Sequence, residues 1–216
     1  LPPVRTILGL WFLLPLIGWG LAVQSPTTPY WVLLLLGVLS GIGGGAFSGF
    51  MPSTSYFFPK AKQGTALGLQ AGIGNFGVSI VQFVTPWIVG FALLGGLFGA
   101  AETYKDAAKK ITKEVWYQNA GFIWVPFIIA SSLLAWFGMN DIADAKASFA
   151  EQAAIFQRKH NWLMCWLYTG TFGSFIGFSA SLPLLAKKEF PEVEVLKYVW
   201  IAPLVGAISR AATGWV

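Results

Sequence analysis

The sequence predicts an all-α, polytopic membrane protein with six transmembrane helices. Three observations lead there. Hydrophobic residues make up 56% of the 216-residue chain and charged residues only 11%, against ~25% charged in ordinary globular domains. The mean hydropathy is +0.64. The apolar residues also gather into six continuous stretches, each long enough to cross ~30 Å of hydrocarbon at ~20 residues per helix. A chain like this cannot cover itself with polar surface, so its solvent is lipid. A solvated coil is excluded by the apolar content, and a disulfide framework by the single cysteine, Cys165. The formal charge of +5 is spread over several short loops without a patch, which argues against nucleic acid as a partner.

The spans run over 6–23, 30–58, 65–98, 119–139, 162–186 and 198–216. The second and third exceed one crossing, so they tilt, bend or project from the bilayer. Barrel strands would be ~10 residues of alternating polarity, which these runs are not. The connectors are polar. Residues 24–29 (QSPTTP) form a turn with two prolines, and 59–64 (PKAKQG) a short basic turn. The stretch 99–118 is expected to be partly helical. In 140–160, Ile142, Ala145, Phe149 and Ala153 recur at helical spacing, as in an amphipathic helix lying on the membrane surface. Residues 187–197 form the last polar loop. Trp31, Trp116, Tyr117, Trp136 and Trp162 fall near span ends and read as interfacial anchors. Lys and Arg divide almost evenly between the two sets of loops, so charge does not set the orientation. With no initiator Met, no signal-peptide pattern and an end at Gly214-Trp215-Val216, the chain reads as an internal piece of a longer one.

One ionisable residue breaks the pattern. Among Asp, Glu, Lys and Arg, only Arg210 stands inside a span. A cation at mid-bilayer costs roughly 2.5–3.5 kcal/mol on insertion scales. It snorkels to an interface or faces a protein cavity and binds something. With no acid in the spans, its natural guest is an anion, and guanidinium forks onto planar oxyanions. The only histidine, His160, lies in a loop. The spans therefore lack the groups of an enzyme or of a proton relay, and no cofactor or metal is expected.

Glycines crowd the second, third and fifth spans, with Gly64, Gly68 and Gly72 at four-residue spacing, then Gly74 and Gly77, and later Gly170, Gly173 and Gly177. Such spacing lets helices approach closely or slide. Gly72-x-Gly74-x-x-Gly77 fits a dinucleotide fingerprint, which requires a preceding strand and an acid about 20 residues on. An apolar run surrounds it and the nearest following acid is Glu102, so it is rejected. Gln70, Asn75 and Gln82 are polar at membrane depth and suit interhelical hydrogen bonds.

Several motifs together resemble the nitrate/nitrite porters (NarK type) of the major facilitator superfamily. They are GGGAF at 43–47, YFFPK at 56–60, GTALGLQAGIGNFGVS at 64–79, WFGMND at 136–141, YTGTFGSFIGFS at 168–179 and PLVGAISR at 203–210. They run in order over nearly the whole chain. The resemblance implies helices three to eight of a twelve-helix fold. Residues 1–139 would hold helices three to six of the N-terminal half. Residues 140–160 would be a cytoplasmic linker and 161–216 helices seven and eight of the C-terminal half. It implies a bacterial inner-membrane location with both ends cytoplasmic, and a monomer completed by the missing helices of the same polypeptide. It implies nitrate and nitrite as partners, carried by exchange or by nitrate uptake. By that resemblance Arg210 binds the anion, Phe47 and Phe172 sandwich it, and Tyr168 and Asn75 line the site. Gly68, Gly72, Gly74, Gly77, Gly170 and Gly173 belong to the signature stretches. A second binding arginine would lie in a helix outside this sequence. Two other readings remain: a related porter for another small or organic anion, and a non-transporting membrane interaction subunit.

Overall fold

The computed structural model describes residues 9–92, 99–106, 111–139 and 149–214. The described helices are α1 (Leu13–Ala22), α2 (Tyr30–Ser40), α3 (Ile42–Phe57), α4 (Lys60–Ile88), α5 (Asn119–Phe122), α6 (Val125–Gly138), α7 (Phe149–Ala153), α8 (Lys159–Glu189) and α9 (Ile201–Thr213). Between α4 and α5 stand two strands, β1 (Glu102–Asp106) and β2 (Ile111–Val115), and short 3-10 turns occupy Ala154–Gln157 and Val195–Lys197.

Among the described residues, four segments are long and apolar enough to cross a membrane: Tyr30–Phe57, Lys60–Ile88, Asn119–Gly138 and Val195–Thr213. They match the second, third, fourth and sixth expected spans. The first expected span is seen as the shorter apolar helix Gly9–Ala22, with 6–8 outside the described residues. The fifth is α8, whose 31 residues make about 46 Å of helix. Its Gly, Ser and Thr residues dilute its hydropathy without shortening it.

The long second span is divided at Gly41. Gly41 closes a tight turn between α2 and α3, donating its N–H to the Val38 carbonyl at 3.0 Å while its own carbonyl accepts from Gly44 at 3.1 Å. The third span is shifted from the expected 65–98. Pro59, extended at φ −62° and ψ 150°, starts the helix at Lys60, which suits a residue without an N–H to offer. The helix stops at Ile88, because its freed carbonyls find other donors. Asn119 Nδ2 donates to the carbonyls of Ile88 (3.2 Å) and Phe91 (2.9 Å), and the Trp116 N–H reaches the Val89 carbonyl at 2.8 Å. Residues 93–98 lie outside the described residues.

The expectation of partial helix over 99–118 is corrected among the described residues of that stretch. β1 and β2 pair antiparallel, from Glu102 opposite Val115 to Asp106 opposite Ile111. The physical reason is local. Thr103, Tyr104, Thr112 and Val115 favour a pleated backbone, and Glu102 and Tyr104 are half-buried while Thr103 and Lys105 are exposed, the two-residue period of a strand. Gly99, at φ +132°, makes the entry turn that only a residue without Cβ adopts freely. Gln118, 1% exposed, closes the loop by donating Nε2 to the Ala100 carbonyl at 3.0 Å. Lys187 of α8 donates Nζ to the Tyr104 hydroxyl at 3.2 Å. Burial, with Tyr104 and Glu102 nearby, pushes the Tyr117 phenol above its ordinary value, and Lys187 pulls against it.

The expected surface helix in 140–160 is seen only in part. α7 carries Phe149 and Ala153, and a 3-10 turn follows it. Ile142 and Ala145 lie outside the described residues.

Burial is inverted relative to a water-soluble protein. Ser53, Asn75, Ser79, Gln118, Asn119, Ser132 and Ser179 are buried, whereas Phe137 is 82% and Trp166 77% exposed. Water would reverse that pattern. In hydrocarbon, small and polar residues go to helix contacts and large apolar ones face lipid. The tightest contact is between α4 and α9. A Cβ added to Gly68 would stand 2.6 Å from the Gly214 Cα, and one on Gly72 2.8 Å from the Ala207 carbonyl oxygen. Backbone meets backbone there. The would-be dinucleotide motif, residues 72–77, lies in the middle of α4, with no strand before it among the described residues.

Candidate functional site

The two glycine-bearing helices α4 and α9 set the depth of Arg210. Gly68 faces the Arg210 carbonyl, 3.1 Å from where its Cβ would be. Gly68 lies eight residues into α4, about 12 Å along the helix from Lys60. Arg210 itself is half-buried in the last turn of α9. Its side chain does not point away into lipid. Arg210 Cζ lies 5.1 Å from the centre of the Phe172 ring and 5.4 Å from that of Phe175. Both separations fall within the ~6 Å at which a cation gains from a ring face.

The rings come from two separate parts of the chain. Phe172 sits in the middle third of the 31-residue α8, and Phe47 in α3. Their centroids are 5.9 Å apart and their planes differ by 11°. Tyr168, one turn before Phe172, stacks on it at 5.2 Å and 10°. Phe175, one turn after, stands 6.3 Å away at 24°. Each such aromatic pair contributes ~0.5–1.5 kcal/mol beyond burial. Phe47 also lies over α4, where its Cε2 is 3.4 Å from the Cβ position of Gly74. The next residue, Asn75, is 5% exposed, and its Nδ2 has no hydrogen-bond partner. A buried donor left so costs roughly 1–3 kcal/mol.

Four of the five side chains named from sequence, Arg210, Phe47, Phe172 and Tyr168, thus form one cluster, and Asn75 lies on α4, one residue after Gly74. The signature glycines divide. Gly68 and Gly72 hold the α4–α9 contact and Gly74 receives Phe47, whereas a Cβ on Gly77, Gly170 or Gly173 meets nothing within 4 Å. Phe175 is the member that sequence reasoning missed. Its only signal was its place three residues after Phe172, on the same helix face. The described residues hold no group of three His, Cys, Asp or Glu that could ligate a metal.

Chemically, the cluster joins a fixed positive charge to flat, polarisable faces. Ring faces are negative and ring edges positive. A negative guest is accepted against such faces only where a cation compensates, and a guanidinium can supply that charge.

No family model matches the chain. Curated relatives do. The chain is 54% identical over 224 residues to the probable nitrate/nitrite antiporter NarK2 of Thermus thermophilus, covering 99% of this chain and 50% of that protein. It is 43% identical over 207 residues to the nitrate/nitrite transporter NarU of Escherichia coli strain K12, covering 94% and 43%. A more distant relative, the nitrite extrusion protein of Bacillus subtilis strain 168, is 26% identical over 73% of the chain and 34% of its own length. The chain spans about half the length of the two nearer relatives.

Proposed function

For a chain that belongs to the NarK-type nitrate/nitrite porters of the major facilitator superfamily, we propose one half of an anion-binding site in a nitrate/nitrite carrier that works by alternating access. The observation that carries it is the Arg210 guanidinium, 5.1 Å from the centre of the Phe172 ring, in a stack that Phe47 joins from another helix.

Nitrate and nitrite are flat and weakly hydrated. The guanidinium binds them through two parallel N–H donors. Phe47 and Phe172 select flatness, and Tyr168 holds the orientation of Phe172. Asn75 offers its unpartnered Nδ2 as a further donor. A guest held between two ring faces needs about 3.5 Å on each side, hence about 7 Å between planes. The Phe47 and Phe172 centroids are 5.9 Å apart, so their planes are no farther apart than that, and a guest that enters between them parts the rings by at least about 1 Å.

In this reading residues 1–139 belong to the N-terminal half of the porter and 161–216 to the C-terminal half, with 140–160 as a cytoplasmic linker. Both ends face the cytoplasm of a bacterial inner membrane, and the complete chain works as a monomer. The spans hold no Asp or Glu, which suits anion-for-anion exchange, where no proton site is required. The names of the relatives support carriage rather than catalysis: NarK2 is called a nitrate/nitrite antiporter and NarU a nitrate/nitrite transporter.

The test is nitrate uptake by the full-length protein in liposomes loaded with nitrite. Arg210→Lys keeps the charge and loses the fork, and is expected to abolish uptake. Uptake at the full rate would overturn the assignment.

A further inference from the structure

We propose that Phe175 is a positioning residue: its ring holds the Arg210 guanidinium beside the Phe47–Phe172 stack, and Gly206 lacks a side chain so that the ring can sit there. What the guanidinium is held for rests on the anion-carrier reading above; that Phe175 holds it does not.

The geometry separates the two α8 rings by what they touch. Phe172 stacks with Phe47 (5.9 Å) and Tyr168 (5.2 Å) and also lies under the guanidinium. Phe175 lies 5.4 Å from Arg210 Cζ and 6.3 Å from the Phe172 ring. If a flat guest displaces Phe172 from Phe47, the guanidinium loses part of its seat on Phe172. Phe175 is the second seat, and it keeps the charge in place while the first ring moves.

The position of Phe175 is itself determined by α9. Gly206 precedes Arg210 by four residues, on the same helix face. A Cβ at Gly206 would stand 2.8 Å from Phe175 Cε2 and 3.3 Å from Cδ2. Any side chain there pushes the ring out of the space between Gly206 and the guanidinium. A flexible Arg otherwise has many rotamers to lose on binding, so a ring that restricts it beforehand raises affinity without touching the guest.

Two measurements on the full-length protein test this. The first is nitrate uptake kinetics. Phe175→Leu is expected to raise KM roughly three- to tenfold, the scale of one cation–π contact, with the maximal rate little changed. Phe175→Tyr keeps a ring and should restore the wild-type KM. Gly206→Ala should raise KM as Phe175→Leu does, and the double variant should be no worse than Phe175→Leu alone. The second is the rate at which phenylglyoxal modifies Arg210, read by mass spectrometry. It is expected to rise severalfold in Phe175→Leu and in Gly206→Ala, but not in Phe175→Tyr. An unchanged modification rate in Phe175→Leu would overturn the proposal, as would a fall in maximal rate at constant KM. If the wild-type protein carries no nitrate, the functional reading fails, and the modification rates alone decide whether Phe175 positions Arg210.

Discussion

The α4–α9 contact and the α3–α8 contact meet around the same arginine but are made of different material. In the first, Gly68 and Gly72 meet Gly214, the Arg210 carbonyl and Ala207, leaving under 3 Å for any added Cβ at the closest points. In the second, the ring contact between Phe47 and Phe172 spans 5.9 Å, and a Cβ added at 170, 173 or 177 of α8 would meet nothing within 4 Å. A backbone contact has one tolerated spacing, because carbonyls and Cα atoms cannot swing aside. A ring contact can open by side-chain rotation. The first contact is suited to setting the depth of Arg210, and the second to admitting a guest.

This contrast can be broken most severely at the backbone seam. Gly72→Val places a branched side chain against the Ala207 carbonyl. It is expected to lower the stability of the full-length protein by at least ~1–3 kcal/mol, as for overpacked cores, read as a lower melting temperature in detergent. A wild-type melting temperature would mean that the seam is elastic. Next in size is Phe47→Ala. It should weaken nitrate binding roughly two- to tenfold, through the loss of one ring face worth ~0.5–1.5 kcal/mol, while shifting the melting temperature less than Gly72→Val does. An equal loss of stability would make Phe47 packing alone. Smaller still is Gly173→Ala, expected to be neutral or stabilising by up to ~1 kcal/mol, since alanine favours helix over glycine. A loss of stability instead would show that another helix of the complete protein covers that side of α8.

The smallest effect concerns pH and the hairpin. The Tyr117 phenol is raised above its ordinary value, first by burial. A raised acid favours the folded state while it stays protonated. Its contribution is full below the ordinary tyrosine value of about 10 and is lost as pH rises through the higher folded value. Tyr117→Phe should flatten that alkaline loss, measured by hydrogen exchange of the β1–β2 amides. An unaltered pH profile would remove Tyr117 from the account.

Much of this was legible beforehand. Arg210 stood out because one guanidinium in an apolar stretch is costly, and cost marks function. Phe47, Phe172, Tyr168 and Asn75 were not legible from composition, since a ring in a glycine-rich helix looks like packing; the family resemblance singled them out. The hairpin was missed because the Lys and Glu residues of 99–118 read as a solvated helix, while the alternation of Glu102, Thr103, Tyr104 and Lys105 was too short to outweigh them. The end of α4 was overrun because the stop comes from elsewhere: Asn119, some thirty residues on, captures the carbonyl of its last residue, Ile88, and that of Phe91 beyond it.

By itself the sequence determined that lipid is the solvent and that the chain crosses it as helices, because hydropathy and run length are summed over neighbours in the chain. Only the tertiary structure decided which rings share the guanidinium, that Phe175 is one of them, and that Gly206 leaves it room. Those residues come from separate helices, and their meeting depends on how closely α4, α8 and α9 pack.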